Sequence, residues 1–238
     1  MARTPRKAPG GYIYHVLNRS ANGMKIFRDP DDYAIFEQVL MEIHQRVPIR
    51  ILAWCLMEDH WHFVVRPLHD RELTAFFRRL AQSHAMRWRL VRNAVGEEHV
   101  YEGRFKAAPV QSGNHLLQIC RFVERNALAE GLVRQAENWR WGSLWVRCRK
   151  GDLRRVDRLE RLLASEPVKR AGSLARWVKY VNREAGKGEL PRLMACSLRG
   201  QPYGNPAWVA RVVKELSLEH TMRTRGRPRK TPFARANI

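Results

Sequence analysis

Acidic residues are scarce in this chain. Its 238 residues carry 23 Asp and Glu against 44 Lys and Arg, a formal net charge of +21. A deficit of that size points to polyanionic partners, nucleic acid first. Cysteines number only four and show no Cys-x-x-Cys spacing, so the signature of a redox pair or thiolate metal site is missing. Cys55 and Cys120 fall in apolar patterns and are expected as buried free thiols. No apolar run approaches the length of a membrane span, and the opening "MARTPRKAPGG" has no apolar leader core. The expected compartment is a reducing cytoplasm.

What is present is enough apolar material for a core: 45% hydrophobic residues and eight tryptophans. The charge is segregated. Residues 1–145 carry 21 Lys and Arg against 15 Asp and Glu, whereas residues 146–238 carry 23 against 8. This predicts a body over 1–145, a charged helical extension over 146–195, and a C-terminal helix with a basic tail over 196–238. The alternative is a soluble, arginine-rich protein with no polyanion to bind.

Along the body, "GYIYHVLNRS" (11–20), "IRILAWCLM" (49–57), "WHFVVRP" (61–67) and "GRFKAAPVQS" (103–112) read as strands. Amphipathic helices are expected over 28–47, with Asp29 as cap before Pro30, over 70–91, and over 114–132 with Asn114 as cap and Gly131 as stop. The order β-α-β-β-α-β-α is the split β-α-β plan of an α+β, ferredoxin-like fold. One antiparallel sheet would carry helices on one face and leave the other partly open.

"MEDHWHFVV" (57–65) sets two histidines two residues apart in a β-branched run. Side chains alternate along a strand, so His60 and His62 share a face and Trp61 takes the other. Two adjacent imidazoles are either satisfied core residues or two ligands of a metal site that needs a third from elsewhere.

These blocks together resemble the single-tyrosine HUH transposases, more narrowly the REP-associated tyrosine transposases of bacteria. "GYIYHVLNRSANGMKIFRD" is similar to the family's first strand and turn, "CLMEDHWHFVV" to its histidine strand, "GRFKA" to its next strand, and "RFVERNALAEGLVRQAENWRWGSLW" to its nucleophile helix. The resemblance implies that His60, His62 and Asn126 bind a divalent ion, Mg²⁺ or Mn²⁺, which polarises a scissile phosphate. It implies a partner of hairpin or single-stranded DNA, a homodimer in some branches, and a nucleoid-associated protein of the bacterial cytoplasm.

At the nucleophile the sequence departs from the family. Four residues before Asn126, on the same helical face, stands Phe122 in "CRFVERN". A phenyl ring cannot form a phosphotyrosine link; its other role is packing beside Ile119 and Val123. Of the tyrosines, Tyr101 in "VYEGRFK" is the best substitute. His115, two turns before Phe122, is either a phosphate-side helper or an exposed residue at a helix start. The expected outcomes are metal-dependent cleavage and rejoining of one strand, or a catalytically silent DNA-binding protein. A third class, an RNA-binding module on a ferredoxin-like sheet, lacks its aromatic strand pattern here.

"RTRGRPRK" (223–230) contains an AT-hook-like core. Arg223, Arg225, Arg227, Arg229 and Lys230 are expected to contact DNA, in the narrow minor groove of A/T-rich duplex or along any phosphate backbone. Arg104 and Lys106 are further expected DNA contacts.

Overall fold

The computed structural model describes residues 7–93, 99–149, 154–184, 186 and 188–223. The basic run at Arg225, Arg227, Arg229 and Lys230 lies outside the described residues. Strands β1 (Ile13–Arg19), β2 (Arg50–Leu56), β3 (His60–Arg66) and β4 (Lys106–Val110) form one antiparallel sheet in the order β2-β3-β1-β4. That is the expected ferredoxin-like arrangement.

Helices α1 (Pro30–Arg46) and α2 (Glu72–Val91) follow β1 and β3. Asp29 caps α1, its side chain accepting from the N–H groups of Asp31 and Asp32 at 3.1 Å, with Pro30 at the first position. After β4 come α3 (Asn114–Glu124), α4 (Asn126–Ala129), α5 (Ser143–Cys148) and α6 (Arg154–Glu160). Then follow α7 (Glu166–Ala171), α8 (Leu174–Asn182), α9 (Glu189–Arg199), α10 (Pro206–Leu216) and α11 (Glu219–Met222). No helix among the described residues is long and apolar enough to cross a membrane.

The third expected helix needs two corrections. It is divided at Arg125 into α3 and α4. Its cap position is Gly113 at φ +80°, with Asn114 already helical. A left-handed turn into the helix suits glycine, which has no Cβ to clash. Gly131, at φ +75°, does end α4, its N–H bonding the carbonyl of Leu128.

Alternation sorts the sheet into two cores. Tyr14, Val16, Trp61, Phe63 and Val65 face α1 and α2, meeting Phe36, Leu40, Phe76 and Phe77. Ile13, Cys55, Val64 and Val110 face the other way, against Leu116, Ile119 and Val123 of α3, Trp177 of α8 and Leu193 and Cys196 of α9. The second face, expected to be partly open, is thus covered. The reason lies in β1, which is apolar at both parities, the pattern of a strand buried on both sides.

Downstream segments also cover both sheet edges. Trp54 N–H of β2 bonds Ser143 Oγ at 3.0 Å, and Leu56 N–H bonds the Trp141 carbonyl at 3.1 Å. Beside β4, Tyr203 N–H donates to Pro109 O and Gln111 N–H to Tyr203 O, both at 2.8 Å. Covered edges cannot template pairing with other chains.

A buried carboxylate ties the second face together. Glu124 of α3 accepts from Ser143 Oγ, Arg147 Nε and Trp177 Nε1, while the Arg147 guanidinium also donates to the Leu52 and Ala164 carbonyls. Such a carboxylate is tolerated inside only because donors satisfy it. It locks α5 and α8 onto α3, and so fixes the helix that crosses the histidine strand.

Candidate functional site

The sheet brings His60 and His62 side by side on the face crossed by α3, both buried, with ring centroids 4.9 Å apart. Asn126, at the start of α4, reaches the same place: its amide nitrogen stands 3.4 Å from His60 Nε2. Phe122 lies one helical turn earlier, half-buried, with its ring edge-on to His62 at 5.9 Å and to His15 at 6.1 Å. Four residues predicted to share a site are therefore neighbours.

Three contributors were missed from the sequence. Asp59 accepts from His60 Nδ1 at 2.6 Å, and this bond holds the Asp59 carboxyl below the usual carboxylate range. With Nδ1 carrying the proton, His60 presents the Nε2 lone pair towards Asn126. On β1, His15 Nε2 lies 2.9 Å from His62 Nδ1, the two rings within 7° of coplanar. His15 Nδ1 in turn meets Cys196 Sγ of α9 at 3.8 Å.

One assignment of protons satisfies this chain: His62 Nδ1–H donates to His15 Nε2, and His15 Nδ1–H points at the sulfur. His62 then also keeps its Nε2 lone pair. Burial drives His15 down to about 3. It also holds His62 well below its ordinary value, with the neighbouring His60 adding to the effect. Both are neutral at physiological pH, the state in which imidazole ligates metal. The signal for Asp59 was present, since it sits next to His60 in sequence, whereas strand register brings His15 to the histidine face.

These residues fit a divalent ion. Each ligand imidazole has Nδ1 engaged by an orienting partner and Nε2 left to bind, the arrangement of histidines around metals. Among the described residues no three His, Cys, Asp or Glu side chains form a ready cluster; the Asn126 amide stands beside His60 and is the group that could complete the set. Two imidazoles and an amide oxygen leave positions for water and phosphate.

Other expected residues are placed apart. Tyr101, read from the sequence as the substitute nucleophile, lies on the far face of the sheet. Its hydroxyl accepts from Trp61 Nε1 at 3.0 Å and pairs with His84 Nδ1 at 2.6 Å, and burial raises its pKa. Strand alternation separates it from His60, because its partner Trp61 points away from both histidines. Lys106 is exposed and shares a row across the sheet with Leu17 and His62, on the site face. Arg104 is exposed beside α2 on the other face. His115 packs against the Tyr203 ring at 5.4 Å, and Arg223 is exposed at the end of the described residues.

Residues 10–126 match the family profile described as "Transposase IS200 like". No curated protein matches the sequence. Among solved structures, a REP-associated tyrosine transposase bound to a REP hairpin is similar at TM-score 0.51 and 16% identity. That match covers 65% of this chain and 90% of that one. A candidate transposase from Deinococcus radiodurans R1 is similar at TM-score 0.37 and 13% identity, over 56% of this chain and 94% of that one. At 16% identity the likeness to the REP-associated transposase is one of fold.

Proposed function

Residues 10–126 form a domain of the IS200-like transposase family, and on that premise we propose a DNA-end-binding protein that has lost the tyrosyl chemistry. It holds hairpin or single-stranded DNA against a divalent ion, Mg²⁺ or Mn²⁺, ligated by His60, His62 and Asn126. The observation that carries this reading is Phe122, edge-on to His15 and His62 and one turn before Asn126. The family resemblance puts a nucleophilic hydroxyl at that place; phenyl offers neither a lone pair nor an acidic proton.

The ion, when bound, supplies Lewis-acid polarisation of a phosphate oxygen. The chain's own residues do the rest. Asp59 and His15 fix the orientation and tautomer of the two ligand rings, and Lys106 offers a cation on the same face for the DNA backbone. Arg223 and the run at Arg225, Arg227, Arg229 and Lys230 extend that contact to phosphates or to an A/T-rich minor groove. Hairpin DNA is the chosen probe because the related transposase structure holds one.

Fluorescence anisotropy with a labelled hairpin oligonucleotide, across a salt series, tests the reading. Binding should weaken steeply with salt, and deleting residues 221–238 should flatten the log–log slope by about 0.9 for each duplex phosphate that the tail no longer neutralises. Mn²⁺ titration by calorimetry should show one site that His62→Ala abolishes. A wild-type protein that binds neither hairpin nor Mn²⁺ contradicts the proposal.

A further inference from the structure

On the face of the sheet away from His60 and His62, an open groove of about 1850 Å³ runs beside α2. One wall is α2 itself, kept low by the small side chains of Ala75, Ala81 and Ala85; the other is the segment 99–105. Phe77 and Phe105 contribute an apolar lining, and Met86 and Leu90 stand exposed along the rim. Apolar floor and open mouth together mark a surface made to be covered.

The polar groups of the groove are mostly cationic. Arg71, Arg78 and Arg104 are exposed, and none forms an ion pair among the described residues. Of the acidic groups, Asp70 accepts from Gly10 N–H at 2.8 Å and Glu215 from Tyr12 Oη at 2.7 Å. Glu102, exposed, is the remaining carboxylate.

Asn18 supplies the second, independent sign of a ligand. It is 5% exposed and lines the groove from β1. Its Oδ1 accepts from Arg19 N–H at 3.1 Å, but its buried Nδ2 has no hydrogen-bond partner among the described residues. A buried donor left unmade is costly, and one that lines an open groove can be satisfied by an oxygen of a bound ligand.

We propose that this groove binds a single-stranded nucleic-acid segment, its phosphates against Arg71, Arg78 and Arg104 and its bases over the apolar lining. A duplex turns its bases inward and would leave that lining bare; an unpaired strand offers charge and π-faces at once. The Asn18 amide donates to a phosphate or base oxygen. Register also connects the groove to the histidine site. Asn18 pairs with Trp61 across β1 and β3, next to the Arg19–His60 pair, so both sites lie at one end of the sheet on opposite faces. A strand leaving His60 can round that end and enter the groove. The identity of the ligand rests on the DNA reading above; the groove, its cations and the Asn18 donor do not.

The test is anisotropy with two probes, an oligothymidine of about twelve nucleotides and a blunt hairpin. The double variant Arg71→Glu with Arg78→Glu should bind oligothymidine about tenfold more weakly. Its log–log salt slope should flatten by about 1.4, two phosphates at 0.7 each for single strands. Its blunt-hairpin affinity should stay within about twofold and its melting temperature unchanged. The near-isosteric Asn18→Asp, which sets a carboxylate where a phosphate belongs, should weaken oligothymidine binding alone.

Wild-type oligothymidine binding that is absent, or within about twofold in both variants, overturns the groove. So does an oligoglutamate peptide that displaces oligothymidine from the wild type at lower concentration, which assigns the groove to an acidic protein partner. Failure of the wild type to bind any hairpin sinks the DNA-end reading, while the oligothymidine result still decides the groove.

Discussion

Trp61 and His62 are neighbours on β3 that point to opposite faces of the sheet, each into a buried hydrogen-bonded group. On the Trp61 face, the Tyr101 hydroxyl bridges the indole N–H and His84, enclosed by the rings of Phe27, Phe36 and Phe77. Burial drives His84 down to about 3, with no charged neighbour involved. On the His62 face, His15 and Asp59 orient two imidazoles whose Nε2 atoms are left for a ligand, and Asp59 is 38% exposed. One network ends in aromatic walls and serves packing. The other ends in imidazole nitrogens and a half-buried Phe122, the arrangement on which the proposed metal site rests.

The largest effect that sharpens this contrast is Tyr101→Phe. Removing the hydroxyl leaves the Trp61 N–H and His84 without their partner, at a cost of about 1–3 kcal/mol in urea denaturation. Hairpin and Mn²⁺ binding should be untouched. A loss of hairpin or Mn²⁺ binding at unchanged stability would erase the distinction between the faces.

His15→Leu should do the reverse. Without the bond that orients His62, Mn²⁺ binding should weaken about 10–100-fold, with part of the affinity recovered in His15→Gln, which can still bond His62 Nδ1. Calorimetry that finds wild-type Mn²⁺ affinity in His15→Leu would remove His15 from the site.

A smaller effect is on acid stability. His84 is neutral in the fold, with its pKa lowered to about 3, and titrates near 6.5 when unfolded. The unfolded chain therefore takes up the extra proton as pH falls. The stability is fully present above about pH 6.5 and is lost at up to about 1.4 kcal/mol per unit below it. In urea denaturation from pH 7.5 to 5, His84→Gln should lessen that slope, whereas an unchanged slope would show that His84 is not buried as a neutral ring.

The histidine pair was legible because a two-residue period on a strand is a local fact, as was the Asp29–Pro30 helix start. His15 was not, because it joins His62 across 47 positions of sequence, and only strand register makes that contact. Tyr101 was misplaced for the same reason: its environment is set by the Trp61 side of β3, which its own segment does not reveal. Cover by α9 was hidden because nothing local in "ELPRLMACSLR" says which surface it meets. Only Leu193, Cys196 and Ser197 of it are buried, while Leu190, Met194 and Leu198 stay exposed, so its apolar residues do not by themselves mark the inward stripe. Nothing local marks Glu124 as buried, since its partners Ser143, Arg147 and Trp177 come from 19 to 53 positions away.

On this reading the site retains its ligands and lacks only the nucleophile. A labelled hairpin oligonucleotide incubated with Mn²⁺ and resolved on a denaturing gel tests that directly. The wild type should give no covalent protein–DNA adduct. Phe122→Tyr should give one, partial in yield because attack needs alignment within about 0.5 Å, and His60→Ala in that background should remove it. A robust adduct in the wild type would contradict the reading.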